Sequence, residues 1–178
     1  PIRDYPTGSL TANIIGFLGP ISSVEQDYYQ DRGFVTNRDK IGYAGLERYF
    51  ESILSGKPGK RVVEVDVGGQ IIRDAVPVIP SIPGQNIYTT LDTRLQQAAQ
   101  SILLGEINGW NAFLREIRIT SGVIIAMNPQ TGEILAMVSY PTYENNRMAR
   151  VLPAYYYEQL NADVRNPLLN QAVGAELP

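Results

Sequence analysis

A chain of 178 residues with 44% apolar and 19% charged side chains has the make-up of a folded protein, long enough to bury a core in one domain or two small ones. Its formal charge of -3 gives no electrostatic reason to expect nucleic acid or an anionic membrane as partner. The absence of cysteine and histidine excludes disulfides, thiolate catalysis, imidazole bases and nearly every zinc or copper site, which leaves carboxylates, hydroxyls and amines for any chemistry.

In chain order, "LTANIIGFL" (Leu10 to Leu18) is short and apolar between Gly8 and Gly19-Pro20, and predicts a strand. Ser22 and Ser23 precede "VEQDYYQ", a short capped helix. In "GYAGLERYFESILSGKPGK", Leu46, Tyr49, Phe50, Ile53 and Leu54 recur at helical spacing and Gly56 stands where a helix ends, so one amphipathic helix is expected. "RVVEVDVGGQIIRDAV" alternates around Gly68-Gly69 as a β-hairpin, with Val63, Val65 and Val67 on one face. "VIPSIPGQN" is a proline-rich connector and the best boundary in the chain.

Asp92 then reads as the N-cap of a helix with Leu95, Ala98, Ala99, Ile102 and Leu103 on one face, followed by a looser stretch around Trp110. "TSGVIIAMNPQTGEILAMVSYP" (Thr120 to Pro141) is a second hairpin. Both of its arms carry adjacent apolar residues, Val123 to Met127 and Ile134 to Val138, so it is expected inside a sheet covered on both faces. The last segment, from Val151, reads as irregular, and the missing strands are expected beyond Pro178. No apolar run approaches the roughly 18 residues that span a bilayer, and "PIRDYP" lacks the core of a signal peptide.

Several of these segments resemble, in order, the class B penicillin-binding proteins, the transpeptidases that cross-link bacterial peptidoglycan. "RDYPTGSLTANIIGFLGPIS" is similar to that family's Arg-x-Tyr-Pro segment and the strand after it, "IGYAGLERYFESILSGKPG" to its Gly-x-x-Gly-Leu-Glu block, and "EVDVGGQIIR" to the following hairpin. "LDTRLQQAAQSIL" resembles the helix that opens the transpeptidase domain, "AMNPQTGEILAMVSYPTYENN" its first hairpin, and "RNPLLNQAVGAELP" the approach to its nucleophile motif. After the hairpin the family has Pro-Ser-Tyr-Asp-Pro-Asn, where this chain has Thr142, Glu144 and Asn145, and no detailed role is assigned to that loop.

The resemblance implies an α+β chain. Residues 1–88 form a short-strand pedestal, or dimerisation domain, lacking its amino-proximal part; residues 89–178 form the start of a transpeptidase domain that stops before the active site. It implies a non-catalytic scaffold outside the cytoplasm, in a parent anchored by an amino-terminal membrane helix. The implied partners are a membrane glycosyltransferase and other elongation or division proteins, with a homodimer as a further option. Peptidoglycan is met only through the absent catalytic part, and neither nucleic acid nor a cofactor is expected.

The family's reaction needs Ser-x-x-Lys, Ser-x-Asn and Lys-Thr/Ser-Gly. Three residues before Lys40, Lys57 and Lys60 stand Asn37, Leu54 and Lys57, Lys57-Pro58-Gly59 has no hydroxyl, and no serine lies two before an asparagine. No catalytic or metal-binding residue is therefore assigned. Two alternatives carry weight: a binding module that docks glycan or protein through Tyr155 to Tyr157, and a hydrolase using Glu64 and Asp66, whose plainer reading is a solvated strand face.

The structural or interaction candidates are Arg3, Tyr5, Pro6, Gly42, Gly45, Glu47 and Arg48. Glu47 and Arg48 diverge by about 100° on a helix, so one can face inward. Glu47 is expected to pair with Arg3 while the glycines permit close backbone approach; the alternative is an exposed helix pair worth little.

Overall fold

The computed structural model describes residues 3–36, 38–150 and 154–174. They gather into two compact units, one drawn from residues 1–19, 42–49 and 88–178, the other from 20–41 and 50–87. The last division thus falls between Ile87 and Tyr88, while two earlier stretches join the carboxy-terminal half. The architecture is α+β, built of a 22-residue helix, several short ones and two-stranded sheets.

The expected strand over Leu10 to Leu18 is mostly helical instead. A 3-10 turn, Gly8–Leu10, leads into α1, Ala12–Ile15, and strand β1 covers only Leu18–Pro20. A nine-residue apolar run does not distinguish a strand from a buried helical turn. The turn wins because it buries Ala12 completely and ends at Gly16, whose φ of 83° lies where L side chains rarely go.

In the second unit, α2 (Gln26–Gln30) starts later than predicted, because Ser22 and Glu25 bond to each other one turn earlier. Strand β2 (Lys40–Gly42) pairs with β1. The expected single helix is two, α3 (Gly45–Tyr49) and α4 (Glu51–Leu54), broken at Phe50, where the chain passes between units. The side chain that α3 buries is Glu47, whereas Tyr49 is exposed.

The hairpin of β3 (Val63–Val65) and β4 (Ile71–Asp74) forms as expected, turning on Gly69 at φ 81°. Val67 lies in its turn, and both strands are largely exposed. The proline-rich connector is not a loose boundary: Ile79 and Ile82 exchange backbone bonds with Lys60 and Lys57, so it is held as an extended arm.

Helix α5 runs unbroken from Thr93 to Leu114, through Trp110, with the Asp92 carboxylate accepting from the amides of Arg94 and Leu95. Its inward stripe is Gln96, Ala99 and Ile107, with Ala98 and Ile102 facing out, so the predicted face is rotated. The cause is Gln96, 1% exposed, whose amide accepts from Met137 N at 2.8 Å and donates to Met137 O at 2.8 Å, as a neighbouring strand would.

Strands β5 (Gly122–Met127) and β6 (Ile134–Tyr140) form the second hairpin. The outer edge of β6 is occupied: Leu135 O accepts from Asp92 N, Met137 is taken by Gln96, and Ser139 O accepts from Asn13 Nδ2. Among the described residues, Val123, Ile125 and Met127 on β5 are exposed, so coverage on both faces is not met there.

The carboxy-terminal stretch is more regular than predicted, with α6 (Asn145–Ala149), α7 (Ala154–Ala162) and α8 (Gln171–Gly174). Residues 151–153 and 175–178 of the segment read as irregular lie outside the described residues. The first unit's core joins Ala12, Phe17, Tyr143, Met148 and Tyr156.

Gln96→Leu keeps the side-chain volume but strands the amide and carbonyl of Met137 and the carbonyl of Leu10. We expect a loss of about 2–4 kcal/mol in urea unfolding from these buried unpaired groups. A loss under about 0.5 kcal/mol would mean that the β6 edge does not need this amide.

Candidate functional site

Arg3 and Glu47 meet as predicted. The guanidinium donates from Nε to Oε1 at 2.7 Å and from Nη2 to Oε2 at 2.9 Å, and the side chains are 42% and 5% exposed. A buried carboxylate on α3 is sustainable because a planar donor fork satisfies both oxygens. The hydroxyl of Tyr5 lies 3.4 Å from Glu47 Oε1 and accepts the amide of Leu18 at 3.1 Å. Burial first, then the Glu47 carboxylate, pushes the Tyr5 hydroxyl far above its ordinary range, and the bond to Glu47 raises Arg3.

The glycines act through space. A Cβ on Gly42 would lie 2.2 Å from Glu47 O, and one on Gly45, at φ 57°, 2.3 Å from Ile14 O, so α3 could not sit where it does. Arg48 faces outward beside the buried Glu47, and Pro6 is exposed on the rim of a polar cleft of about 360 Å³ shared with Glu144 and Arg147. The structure thus brings Arg3, Tyr5 and Glu47 into bonding contact and places Pro6 and Arg48 outside it.

Sequence reasoning missed the larger feature. Asn146 brackets Tyr5: Oδ1 accepts its amide at 2.9 Å and Nδ2 donates to its carbonyl at 2.9 Å. Thr142 Oγ1 donates to Ser9 O at 3.0 Å, Gln96 Nε2 to Leu10 O at 3.1 Å, and the Tyr143 hydroxyl to Ala12 O at 2.9 Å. Asn170 Nδ2 donates to Asn13 O at 3.1 Å and Asn145 Nδ2 to Gly16 O at 3.3 Å. Every one of these donors comes from residues 96–170. The available signal was the loop Thr142-Tyr143-Glu144-Asn145-Asn146, where the sequence leaves the family pattern and concentrates side-chain donors.

Chemically this arrangement is a joint. It aligns no nucleophile with a base, and among the described residues no cluster of three acidic side chains could hold a metal ion. The hydrolase alternative loses its pair: Glu64 binds Arg73 across the hairpin at 2.7 Å, and Asp66 Oδ1 holds the turn through Gly68 N and Gln70 N. The tyrosine run forms no shared platform. Tyr156 is 8% exposed, accepts Glu144 N and lies under the Arg147 guanidinium, while Tyr155, whose hydroxyl accepts from Arg147 Nη2 at 3.4 Å, and Tyr157 are exposed.

Comparison with known proteins places this geometry. The family "Penicillin-binding Protein dimerisation domain" matches residues 1–89. The peptidoglycan D,D-transpeptidase MrdA of Escherichia coli K12 is 32% identical over 179 aligned residues, covering 99% of this chain and 26% of that protein, so the chain spans about a quarter of its relative's length. A chain of a peptidoglycan synthase complex that coordinates polymerization and crosslinking matches with TM-score 0.80 and 32% identity, over 96% of this chain and 29% of that one. Helicobacter pylori PBP2, solved in complex with MreC, shares the fold at TM-score 0.74 and 24% identity, again over 96% and 29%.

Two outcomes test the joint. In a double-mutant cycle of Arg3→Met and Glu47→Gln, we expect a coupling of about 1–2 kcal/mol, held down by Arg3's exposure; a value within error of zero would remove the pair as a stabilising element. Burial, chiefly, also raises the Tyr143 hydroxyl far above its ordinary value. A raised folded-state pKa means that this contribution is complete below about pH 10 and is lost as pH climbs above it. Tyr143→Phe should cost about 1 kcal/mol at pH 7 and make stability fall less steeply above pH 10; an unchanged alkaline slope would contradict the assignment.

Proposed function

Because this chain belongs to the penicillin-binding protein dimerisation-domain family, we propose that it is the non-catalytic scaffold of a peptidoglycan D,D-transpeptidase, joining the pedestal to the first part of the transpeptidase domain. The observation that carries this reading is the unfinished hairpin. The outer edge of β6 is closed by Asp92, Gln96 and Asn13, whereas Val123, Ile125 and Met127 leave an apolar face exposed on β5. With β6 closed, further strands can join this sheet only at the β5 edge, and a further layer would cover the apolar face that is now open. In this reading the catalytic serine and lysine lie in those further residues, consistent with the lack of Ser-x-x-Lys in this sequence.

The scaffold's partners follow from its likeness to a chain of a peptidoglycan synthase complex. We propose contact with the glycan-polymerising membrane protein of such a complex and with other elongation or division proteins, outside the cytoplasm, in a parent held to the membrane elsewhere in its chain. The second unit offers a surface for such contact, with Val65, Ile71, Ile72 and Ile79 exposed. Self-association through the same unit is the further option. The buried Tyr156 supports a packing role for the tyrosine run rather than glycan docking.

Fluorescent penicillin tests the reading on this chain and on a form extended past Pro178 in its natural reading frame. We expect covalent label on the extended form only. Label on neither would overturn the transpeptidase reading, and label on the present chain would mean that one of its own serines is the nucleophile.

A further inference from the structure

A four-residue helix is far too short to hold a direction by itself, yet α8 is fixed from three sides. The Gln171 amide, first in the helix, donates to Ser139 Oγ at 3.0 Å, and Gln171 Nε2 donates to Arg165 O at 3.0 Å. Asn170 holds the remaining side with both ends of its amide. Its Oδ1 accepts from Ala172 N at 3.1 Å, capping α8, and its Nδ2 donates to Asn13 O at 3.1 Å, with Met137 Sδ at 3.8 Å.

The circuit closes through Asn13, whose Nδ2 reaches Ser139 O at 3.3 Å and Pro141 O at 3.4 Å. Asn13 therefore grips the end of β6 with its side chain and Asn170 with its carbonyl, while Ser139 grips α8. A primary amide supplies a capping acceptor and, on a separate atom, a donor that reaches Asn13; aspartate keeps the acceptor and loses the donor.

We infer that Asn170 is a positioning residue: by holding α8 to Asn13 it fixes the place of the helix from which the chain continues to the nucleophile. This rests on the transpeptidase reading above, in which the residues after α8 approach the catalytic serine. Asn170 touches no reacting group in this role; it acts by aiming the segment that follows it, and it makes the amino-terminal segment a determinant of the active-site geometry.

The test uses Asn170→Asp in the naturally extended protein, reading the rate of acylation by fluorescent penicillin together with thermal unfolding. We expect acylation slowed about ten-fold or more, the scale of a misaimed nucleophile, with the unfolding midpoint within about 3 °C of wild type. Equal acylation rates would overturn the proposal. If the substitution lowers the midpoint further, Asn170→Ser, a cap too short to bridge to Asn13, is judged by the same rates.

Hydrogen exchange on the present chain separates this proposal from the reading beneath it. There Asn170→Asp should leave the Ala172 amide protected and speed exchange at Ile15 and Gly16 about ten-fold. If the extended wild type takes no label, the transpeptidase reading falls and the aim toward a nucleophile falls with it. Faster exchange at Ile15 and Gly16 then still supports the tie, and unchanged exchange there overturns it.

Discussion

Six backbone carbonyls between Tyr5 and Gly16 accept from side chains far along the chain; those of Tyr5 and Ala12 also accept the amides of Gly8 and Gly16, and the other four are supplied by the distant donors. Those of Tyr5, Ser9, Leu10, Ala12, Asn13 and Gly16 accept side-chain bonds from Asn146, Thr142, Gln96, Tyr143, Asn170 and Asn145. A buried polar group without a partner costs about 1–3 kcal/mol, more than the net gain from a bond that is made. The set is therefore a constraint more than a source of stability: the segment can be buried only if the distant donors arrive. This is why residues 1–19 group with the carboxy-terminal half, and why Ala12 and Phe17 share a core with Tyr143, Met148 and Tyr156.

The same economy of polar groups closes one edge of a sheet. Leu135, Met137 and Ser139 turn their outer backbone atoms toward Asp92, Gln96 and Asn13, which ends β6 as a pairing surface. Val123, Ile125 and Met127 on β5 keep an apolar face exposed beside this closed edge. The Arg3–Glu47 fork adds the third fixed point, setting α3 against the start of the chain while Gly42 and Gly45 let the backbones meet. The scaffold role proposed above would ask for such over-determination, since a support transmits position only where it cannot yield locally.

Elements with their own local signals were legible in the sequence. The Asp92 cap, the glycine turn at Gly69 and both hairpins depend on residues a few positions apart, and each formed. The Arg3–Glu47 pair was legible only as one of two readings, because the adjacency of Glu47 and Arg48 says that one of them can face inward and leaves an exposed helix pair as the alternative. What failed depended on distant partners. Leu10 to Leu18 was read as a strand because its carbonyl partners, side chains far along the chain, leave no mark on its own composition. The inward face of α5 was misjudged because a hydrophobic stripe gives no weight to a glutamine that pairs with a strand edge. Asn145 stands in a loop to which the sequence assigns no detailed role, and nothing local names a partner for Asn146 or Asn170, whose bonds reach Tyr5 and Asn13.

Residues 3–16 are an integral part of the first unit's fold. Native-state hydrogen exchange across a series of low urea concentrations tests this most directly. Ile15 and Gly16, bonded to Thr11 and Ala12, are expected to open with the same free energy and urea dependence as the β6 amides that pair with β5. Opening of Ile15 and Gly16 at a free energy lower by about 2 kcal/mol or more, with β6 still protected, would contradict it, because the segment would then be an appendage the hairpin does not need.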